Sequence, residues 1–325
     1  PLLPVDRSAG AVPGDAPDLW LKCECLQFAG AFKLRGAYNF ISSIPPGVRQ
    51  AGVVTFSSGN HAQGVAYAAR AFGIPALVVM PVDAPGIKVA AVRRLGARLE
   101  MAGTTTTERK ARAEELLAEI GGTMVPPFDH PDIIAGQGTA GLEIVEQLHE
   151  ASQRRGEEIR ASRVIVPIGG GGLLSGVAAA IRELEPGASI VGVEPEDAAC
   201  LKLAMERGRR ATLPEVGLFA DGCAVAQIGK ETFRVIRDTV DDVITISTDE
   251  MCAAIKDIFE DTRSIAEPAG ALALAGLKRY VERTGVSGQH LLAIVSGANT
   301  NFDRLRYISE RTEIGEHREA VISVT

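Results

Sequence analysis

Short apolar runs alternate along this chain with longer segments in which apolar residues recur every three to four positions. Short runs bounded by turn residues predict buried β-strands, and the longer spacing predicts amphipathic helices. The predicted strands are Val53–Phe56, Ala76–Met80, Arg98–Met101, Val164–Ile168, Ile190–Glu194, Val243–Ile246 and Leu291–Val295. The predicted helices are His61–Phe72, Gly86–Leu95, Thr107–Ile120, Ile133–Glu150, Leu173–Leu184, Ala198–Arg207, Thr248–Phe259, Pro268–Arg283 and Asn301–Arg311. This alternation predicts an α/β fold built on mostly parallel sheets.

Composition narrows the class of protein. The 325 residues are 46% hydrophobic and 23% charged, a balance typical of a globular protein of one large or two medium domains. The apolar runs are far shorter than the roughly 18 residues that a membrane-spanning helix needs. The net charge of −7 argues against a nucleic-acid partner, because binding to phosphate backbones requires a basic surface. We therefore expect neither a membrane nor a nucleic acid as partner.

The five cysteines, at positions 23, 25, 200, 223 and 252, are widely spaced and odd in number. This argues against a disulfide framework and for a reducing compartment. The sequence begins without the basic and apolar regions of a signal peptide. The predicted location is the cytoplasm.

Four consecutive glycines, Gly169–Gly172, follow the predicted strand Val164–Ile168 and precede a predicted helix. Backbone N–H groups without side chains beside them, at the positive end of a helix dipole, form a binding site for an anion such as phosphate. The spacing matches neither of the common nucleotide-binding glycine motifs. A tight turn without a ligand is the alternative explanation.

Two other strand ends are followed by small polar residues. Ser57–Gly64 contains hydroxyl, amide and glycine positions able to bind a carboxylate, although Ser57 or Asn60 could equally be a simple helix cap. Ser296–Asn299 follows the last predicted strand. Because ligands of open α/β proteins bind at the carboxyl ends of strands, we expect the three junctions to converge on one site.

Lys33 lies at a predicted, glycine-flanked helix start, between Phe32 and Leu34. Apolar neighbours lower the pKa of a lysine, because burial disfavours its charged form, and a neutral amine can act as a nucleophile or base. An ordinary surface lysine is the alternative interpretation.

Together these segments resemble the serine/threonine dehydratase family of fold type II pyridoxal-phosphate enzymes, and most closely the catalytic domain of its biosynthetic threonine dehydratases. The similarity extends over nearly the whole chain. It rests on eight ordered motifs: Phe32–Ala37, Ser57–Gly64, Val125–Pro131, Ala135–Thr139, Gly169–Leu173, Gly217–Gly222, Glu267–Ala271 and Ser296–Tyr307.

The resemblance implies a tryptophan synthase β-like fold with two open, mostly parallel sheets flanked by helices. Residues 1–48 and 132–325 would form a large cofactor-binding domain, and residues 49–131 a small mobile domain. The sequence stops about where longer biosynthetic members continue into an effector-binding domain, so no C-terminal regulatory domain is expected. The family also implies a homodimer or homotetramer.

The resemblance also assigns roles to single residues. Lys33 would hold pyridoxal 5'-phosphate as a Schiff base and act as the catalytic base, with Phe32 beside the ring. Asn60 would bind the ring hydroxyl, Ser296 would face the ring nitrogen, and Gly222 would line the ring face opposite Lys33. The phosphate would be bound by the backbone of Gly169, Gly170, Gly171, Gly172 and Leu173. The substrate carboxylate would be bound by Ser57, Ser58, Gly59 and His61.

The implied reaction removes the β-hydroxyl and the amino group of L-threonine or L-serine, giving 2-oxobutanoate or pyruvate plus ammonia. Ser58 stands where serine racemases have their second acid, so it is a catalytic candidate and a racemase is one alternative. An ammonia-lyase for hydroxyaspartate or phenylserine is another alternative, and a non-catalytic phosphate-ligand binding protein is a third.

Two departures from the family pattern affect these expectations. Ala31 replaces the serine that usually precedes Phe-Lys, which bears on substrate preference. Glu194 and Ala198 match a cation site found in part of the family, but Cys200 replaces its third ligand and supplies no hard oxygen. We therefore predict no divalent metal.

Overall fold

The computed structural model of the chain describes residues 1–5, 17–57, 59–84 and 86–316. Its strands and helices alternate as the hydrophobic pattern predicts. The strands are β1 Leu2–Pro4, β2 Asp18–Cys23, β3 Val53–Phe56, β4 Ala76–Met80, β5 Arg98–Met101, β6 Thr123–Met124, β7 Ala161–Pro167, β8 Ser189–Pro195, β9 Asp242–Ile246 and β10 His290–Val295. The helices are α1 Lys33–Ser43, α2 Pro46–Arg49, α3 Asn60–Ala71, α4 Gly86–Arg94, α5 Thr106–Ile120, α6 Pro131–Arg155, α7 Gly172–Leu184, α8 Cys200–Glu206, α9 Lys230–Thr239, α10 Thr248–Thr262, α11 Pro268–Thr284 and α12 Arg304–Gly315.

The larger sheet has six strands in the order β1-β2-β10-β7-β8-β9. All neighbours are parallel except β1 and β2, which pair antiparallel at one edge. Successive residues of its central strands point to opposite faces, so that Ile165 and Ala293 belong to one core while Val164 and Leu292 belong to the other. Helices cover both faces, as a parallel sheet requires.

The smaller sheet has four parallel strands in the order β5-β4-β3-β6. They lie between Val53 and Met124, inside the 49–131 interval assigned to the small domain. This sheet also has two apolar cores, one containing Val53 and Val78 and the other Val54 and Leu77. Each sheet is thus packed on both sides by its own set of apolar residues.

Every predicted strand and helix overlaps an element of the structure, and the predicted α/β class is confirmed. The sequence analysis missed β1, β2, the two-residue β6, the short α2 and the helix α9, and it predicted only the start of α1. The five cysteines are buried free thiols. In the described ranges, no helix has both the length and the apolar character of a membrane span.

Candidate active site

A cleft of about 730 Å³ opens between the two sheets, where the strands end. The loops after β3, β6, β7 and β10 all contribute to its wall. Every described residue that the sequence analysis placed in the site lines this cleft, and the three polar junctions converge there. Ser58, the proposed second acid, lies outside the described residues.

Lys33 is the first residue of α1 and lies in the wall of the cleft. The segment before it pairs with the loop after β10: the Phe32 N–H donates to the Ser296 carbonyl at 3.1 Å, and the Ala298 N–H donates to the Gly30 carbonyl at 2.9 Å. This pairing places the start of α1 beside the end of the central strand. The Lys33 Nζ donates to the Pro127 carbonyl at 2.9 Å.

Burial changes the pKa of the Lys33 amine. Removal from water lowers its pKa to about 8, although the nearby Cys223 and Glu267 partly oppose the shift. The Phe32 ring centroid lies 5.2 Å from the Lys33 Nζ and forms part of the apolar surroundings. A lysine in this state exchanges its proton near neutral pH and can serve as both nucleophile and base.

The glycine loop connects β7 to α7 and also lines the cleft. Gly171 has a φ of 91°, in the left-handed region that glycine tolerates, and is the N-cap of α7. A Cβ atom on Gly170 would overlap the Phe128 ring, and one on Gly169 would lie 3.1 Å from the Gly222 carbonyl oxygen. The first N–H groups of a helix have no intrahelical acceptor, so those of α7 are available to an anion in the cleft.

Ser57, Gly59 and His61 surround the start of α3. The Ser57 hydroxyl accepts the Gly59 N–H at 3.2 Å, which shapes the turn. His61 is 4% exposed, and its Nε2 lies 3.0 Å from the Val125 carbonyl. Burial and the nearby Lys33 charge lower the pKa of His61 to about 3. Its ring is therefore neutral at working pH and anchors the loop.

Ser296 and Gly222 lie on the large-sheet side of the cleft. Ser296 is 4% exposed, and its hydroxyl donates to the Ala269 carbonyl at 3.2 Å. A Cβ on Gly222 would lie 3.0 Å from the Ala269 side chain, so Gly222 packs closely against the start of α11.

Glu267 is a site residue to which the sequence analysis assigned no role. Its carboxylate is buried in the cleft wall and accepts the Asn60 Nδ2–H at 2.6 Å. Burial raises the pKa of Glu267 to about 7. The sequence did contain a signal for a polar role of Glu267. It is a single acidic residue before the run of small residues 268–271, and a carboxylate at an otherwise apolar helix start requires a partner.

Asp129 was also missed, and it fixes the loop that faces Lys33. Its carboxylate accepts the N–H groups of Lys230 and Glu231, both at 2.8 Å, and so caps α9. The loop containing Pro127 and Phe128 is thereby tied to the large-sheet side of the cleft.

The cleft matches a flat ring that bears an aldehyde and a phosphate. A nucleophilic amine, Lys33, and the N–H donors of the glycine loop both line it. A side chain at Gly170 would overlap Phe128, so the loop packs directly against that ring.

A family model described as pyridoxal-phosphate dependent enzyme matches residues 1–297. The chain belongs to this family. The biosynthetic L-threonine dehydratase of Haemophilus influenzae is 49% identical over 308 residues, which cover 95% of this chain and 58% of that protein. The chain thus spans little more than half the length of this curated relative.

Solved structures of pyridoxal-phosphate dependent enzymes share the fold. The processed form of threonine deaminase isoform 2 from Solanum lycopersicum is similar with a TM-score of 0.86 and 40% identity, covering 91% of this chain and 83% of that one. Maize serine racemase is similar with a TM-score of 0.85 and 35% identity, covering 98% and 93%. The predicted fold type II is confirmed, and the cofactor is pyridoxal 5'-phosphate.

Glu194 occupies the position of the cation site that the resemblance implies. The Glu194 carboxylate accepts the N–H groups of Leu201 at 2.7 Å and Lys202 at 2.9 Å, so it caps α8. Cys200 lies beside it with a thiol whose pKa burial raises to about 12. Within the ranges that the structure describes, no cluster of three or more His, Cys, Asp or Glu residues could hold a metal.

Proposed function

We propose that this protein catalyses β-elimination from L-threonine and L-serine, releasing 2-oxobutanoate or pyruvate and ammonia. The observation that supports this most strongly is Lys33, an amine with a lowered pKa in the same cleft as the helix-terminal glycine loop. The 49% identity to a biosynthetic threonine dehydratase favours threonine as the main substrate. The similar protein is named a biosynthetic dehydratase, and we propose that the activity serves the biosynthesis of isoleucine.

Bound pyridoxal phosphate supplies an electron-accepting ring conjugated to the substrate nitrogen. The N–H groups of Gly169–Leu173 would hold its phosphate, and the Asn60 amide and the Ser296 hydroxyl would bind the ring edge. The loop Ser57–His61 would bind the substrate carboxylate through donors at the start of α3.

Lys33 would remove the Cα proton, because its neutral amine is abundant near pH 8. The Cα–H and Cβ–O bonds would break as a Cα–Cβ double bond forms, and the hydroxyl would take up one proton and leave as water, so that the proton lost from Cα balances the proton gained by the leaving group. The unsaturated amine released from the site then takes up water and separates into the 2-oxo acid and ammonia. Ser296 is uncharged, so it does not impose a positive charge on a ring nitrogen as an aspartate would, which favours elimination over transamination.

Racemisation of serine is a second candidate activity, supported by the similarity to maize serine racemase over 98% of this chain. Ser58, at the position of the racemase acid, would be required for it. The same substrate panel distinguishes the two activities when D-serine is measured along with the 2-oxo acids.

The test is a panel of L-threonine, L-serine, β-hydroxyaspartate and β-phenylserine, with 2-oxo acid release as the readout. We expect the fastest release from L-threonine and none from the Lys33→Ala variant, which should keep the wild-type circular dichroism spectrum. Absence of any 2-oxo acid from cofactor-loaded wild type would refute the proposed elimination.

We also propose that residues 49–131 form a small domain that moves against the rest of the chain. Its separate four-stranded sheet and the core around Val54 and Leu77 support this division, while the core on the other face of that sheet is shared with Leu34 and Phe40 of α1. The Lys88 ammonium lies 2.6 Å from the Asp221 carboxylate, an ion pair that joins α4 to the large-sheet side at the mouth of the cleft.

We also propose that the protein forms a homodimer or homotetramer and that it is located in the cytoplasm. Phe28 is 81% exposed and Phe302 is 80% exposed, and large apolar side chains in water favour a subunit interface. The free thiols fit a reducing compartment. Light scattering should give the mass of two or four chains, and a single-chain mass would contradict the assembly.

A further inference from the structure

Three polar side chains form a directed chain of hydrogen bonds beside Lys33. The Asn299 Nδ2 donates to the Ala29 carbonyl and to the Asn60 Oδ1, both at 2.8 Å. The Asn60 Nδ2 in turn donates to the Glu267 carboxylate at 2.6 Å. This chain connects the segment before Lys33, the start of α3, the start of α11 and the loop after β10.

The Ala29 carbonyl determines which atoms donate and which accept along this series of hydrogen bonds, because a carbonyl can only accept. Asn299 must therefore present its Nδ2 on that side, and the same nitrogen reaches the Asn60 Oδ1. The Asn60 oxygen is then engaged, and its Nδ2 points toward Glu267. The orientation of the Asn60 amide follows from its partners.

Close backbone packing keeps these side chains in place. Glu267 is 4% exposed, and its N–H donates to the Gly297 carbonyl at 3.1 Å. A Cβ on Gly297 would overlap the Glu267 carboxylate, and a Cβ on Gly30 would lie 2.7 Å from the Asn299 Oδ1. Gly30 has a φ of 65°, so a side chain there is disfavoured for conformational reasons as well.

We propose that Glu267 and Asn299 are positioning residues that hold Asn60 with an N–H directed at the cofactor. This inference rests on the proposed function, in which Asn60 binds the ring hydroxyl. An amide nitrogen has two N–H groups, so one can bind Glu267 while the other serves the ring oxygen. If the restraint were lost, the amide could turn its oxygen toward that ring oxygen, and two acceptors would then face each other.

The experiment measures the affinity of the apoprotein for pyridoxal phosphate and the absorbance band of the bound cofactor. Asn299→Asp keeps the shape of the side chain but cannot donate to Asn60 or Ala29, and Glu267→Ala removes the acceptor. We expect each to raise the Kd for pyridoxal phosphate roughly 3- to 10-fold and to shift the band. Glu267→Gln retains an oxygen that accepts from Asn60, so its Kd should stay within about twofold of wild type.

Glu194→Gln is the matched control. Glu194 is buried like Glu267, and its pKa is likewise raised to about 7, but its carboxylate accepts from the backbone N–H groups of Leu201 and Lys202 in α8. Its Kd and absorbance band should be unchanged. Thermal unfolding of each apoprotein shows whether the variants are folded.

The outcomes separate this inference from the proposed function. If wild type binds the cofactor and Asn299→Asp and Glu267→Ala bind it equally well with the same band, the positioning role is wrong and the proposed function stands. A loss of affinity in Glu194→Gln equal to theirs would also overturn the inference, because loss of any buried carboxylate would then have the same effect. Failure of wild type to bind the cofactor would overturn both proposals.

Discussion

Lys33 acquires its reactivity from its surroundings. Its pKa of about 8 means that roughly a quarter of the amines are neutral at pH 7.5, against about one in a thousand at the ordinary value. The cause is burial, which disfavours the ammonium form. The acidic neighbour Glu267 acts in the opposite direction but is too weak to cancel it. The position of one side chain therefore determines whether it can act as a nucleophile and a base.

The pH dependence of cofactor capture tests this property of Lys33. When apoprotein is mixed with pyridoxal phosphate in a stopped-flow instrument, the capture rate should rise with pH and level off above about pH 8. N-acetyllysine is the control, and its rate should continue to rise toward pH 10. A protein rate that still climbs tenfold per pH unit above pH 9 would show that Lys33 is an ordinary lysine.

The lowered pKa of Lys33 also makes the free energy of unfolding depend on pH. The pKa of Lys33 is lower in the folded protein than in the unfolded chain, so the unfolded chain binds more protons between about pH 8 and 10.5. The contribution of this group to the free energy of unfolding of the apoprotein therefore rises with pH across that interval.

For His61, the sequence predicted its position in the substrate-binding loop but not its protonation state. The motif placed His61 with the substrate-binding residues, and the ring does lie beside the cleft. Its bond to the Val125 carbonyl joins positions 64 apart, and its pKa of about 3 follows from burial and the Lys33 charge, which a local pattern cannot reveal. The charge state of a buried side chain is set by packing between distant segments.

The helices around Lys33 depend on close contacts between elements. A Cβ atom on Gly64 of α3 would lie 3.0 Å from the Lys33 carbonyl carbon and 3.1 Å from the Leu34 nitrogen. These are backbone atoms that cannot move aside cheaply. Gly64 thus allows α3 to pack directly on the start of α1, which fixes the amine relative to the substrate loop.

We predict that Gly64→Ala lowers the free energy of unfolding by about 1–3 kcal/mol through this overlap. Alanine has the higher helix propensity by about 1 kcal/mol, so propensity alone would give the opposite sign. Gly47→Ala in α2 is the control, because nothing lies within 4 Å of its added Cβ, and it should be neutral or stabilising. Urea unfolding of both variants decides the question, and a Gly64→Ala protein as stable as wild type would contradict the packing argument.

The elements that sequence reasoning missed share a dependence on distant partners. Helix α9 is mostly polar, and its N-terminal N–H groups are capped by Asp129, about 100 residues earlier, while the preceding residue is Gly229. Strand β6 has two residues and exists through its pairing with β3. The buried parallel strands, in contrast, can be recognised in the sequence as continuous apolar runs.

The assembled molecule brings together residues that the sequence separates. The contact between Lys33 and Pro127 joins positions 94 apart, and that between Asn60 and Glu267 joins positions 207 apart. The motifs and the rule that ligands bind at strand ends predicted which loops meet. They could not predict which side chains touch, since this depends on how the two sheets pack against each other. Glu267 and Asp129 were missed for that reason.

The central claim is that Lys33 is the residue to which pyridoxal phosphate is attached. The chain has eight lysines, and Lys88 and Lys110 also line the cleft, so the attachment point can be distinguished experimentally. Reduction of the cofactor-loaded protein with borohydride, followed by peptide mass spectrometry, locates the fixed cofactor. We predict a reduced adduct on Lys33 and on no other lysine; an adduct on Lys88 or Lys110, or none at all, would contradict this assignment.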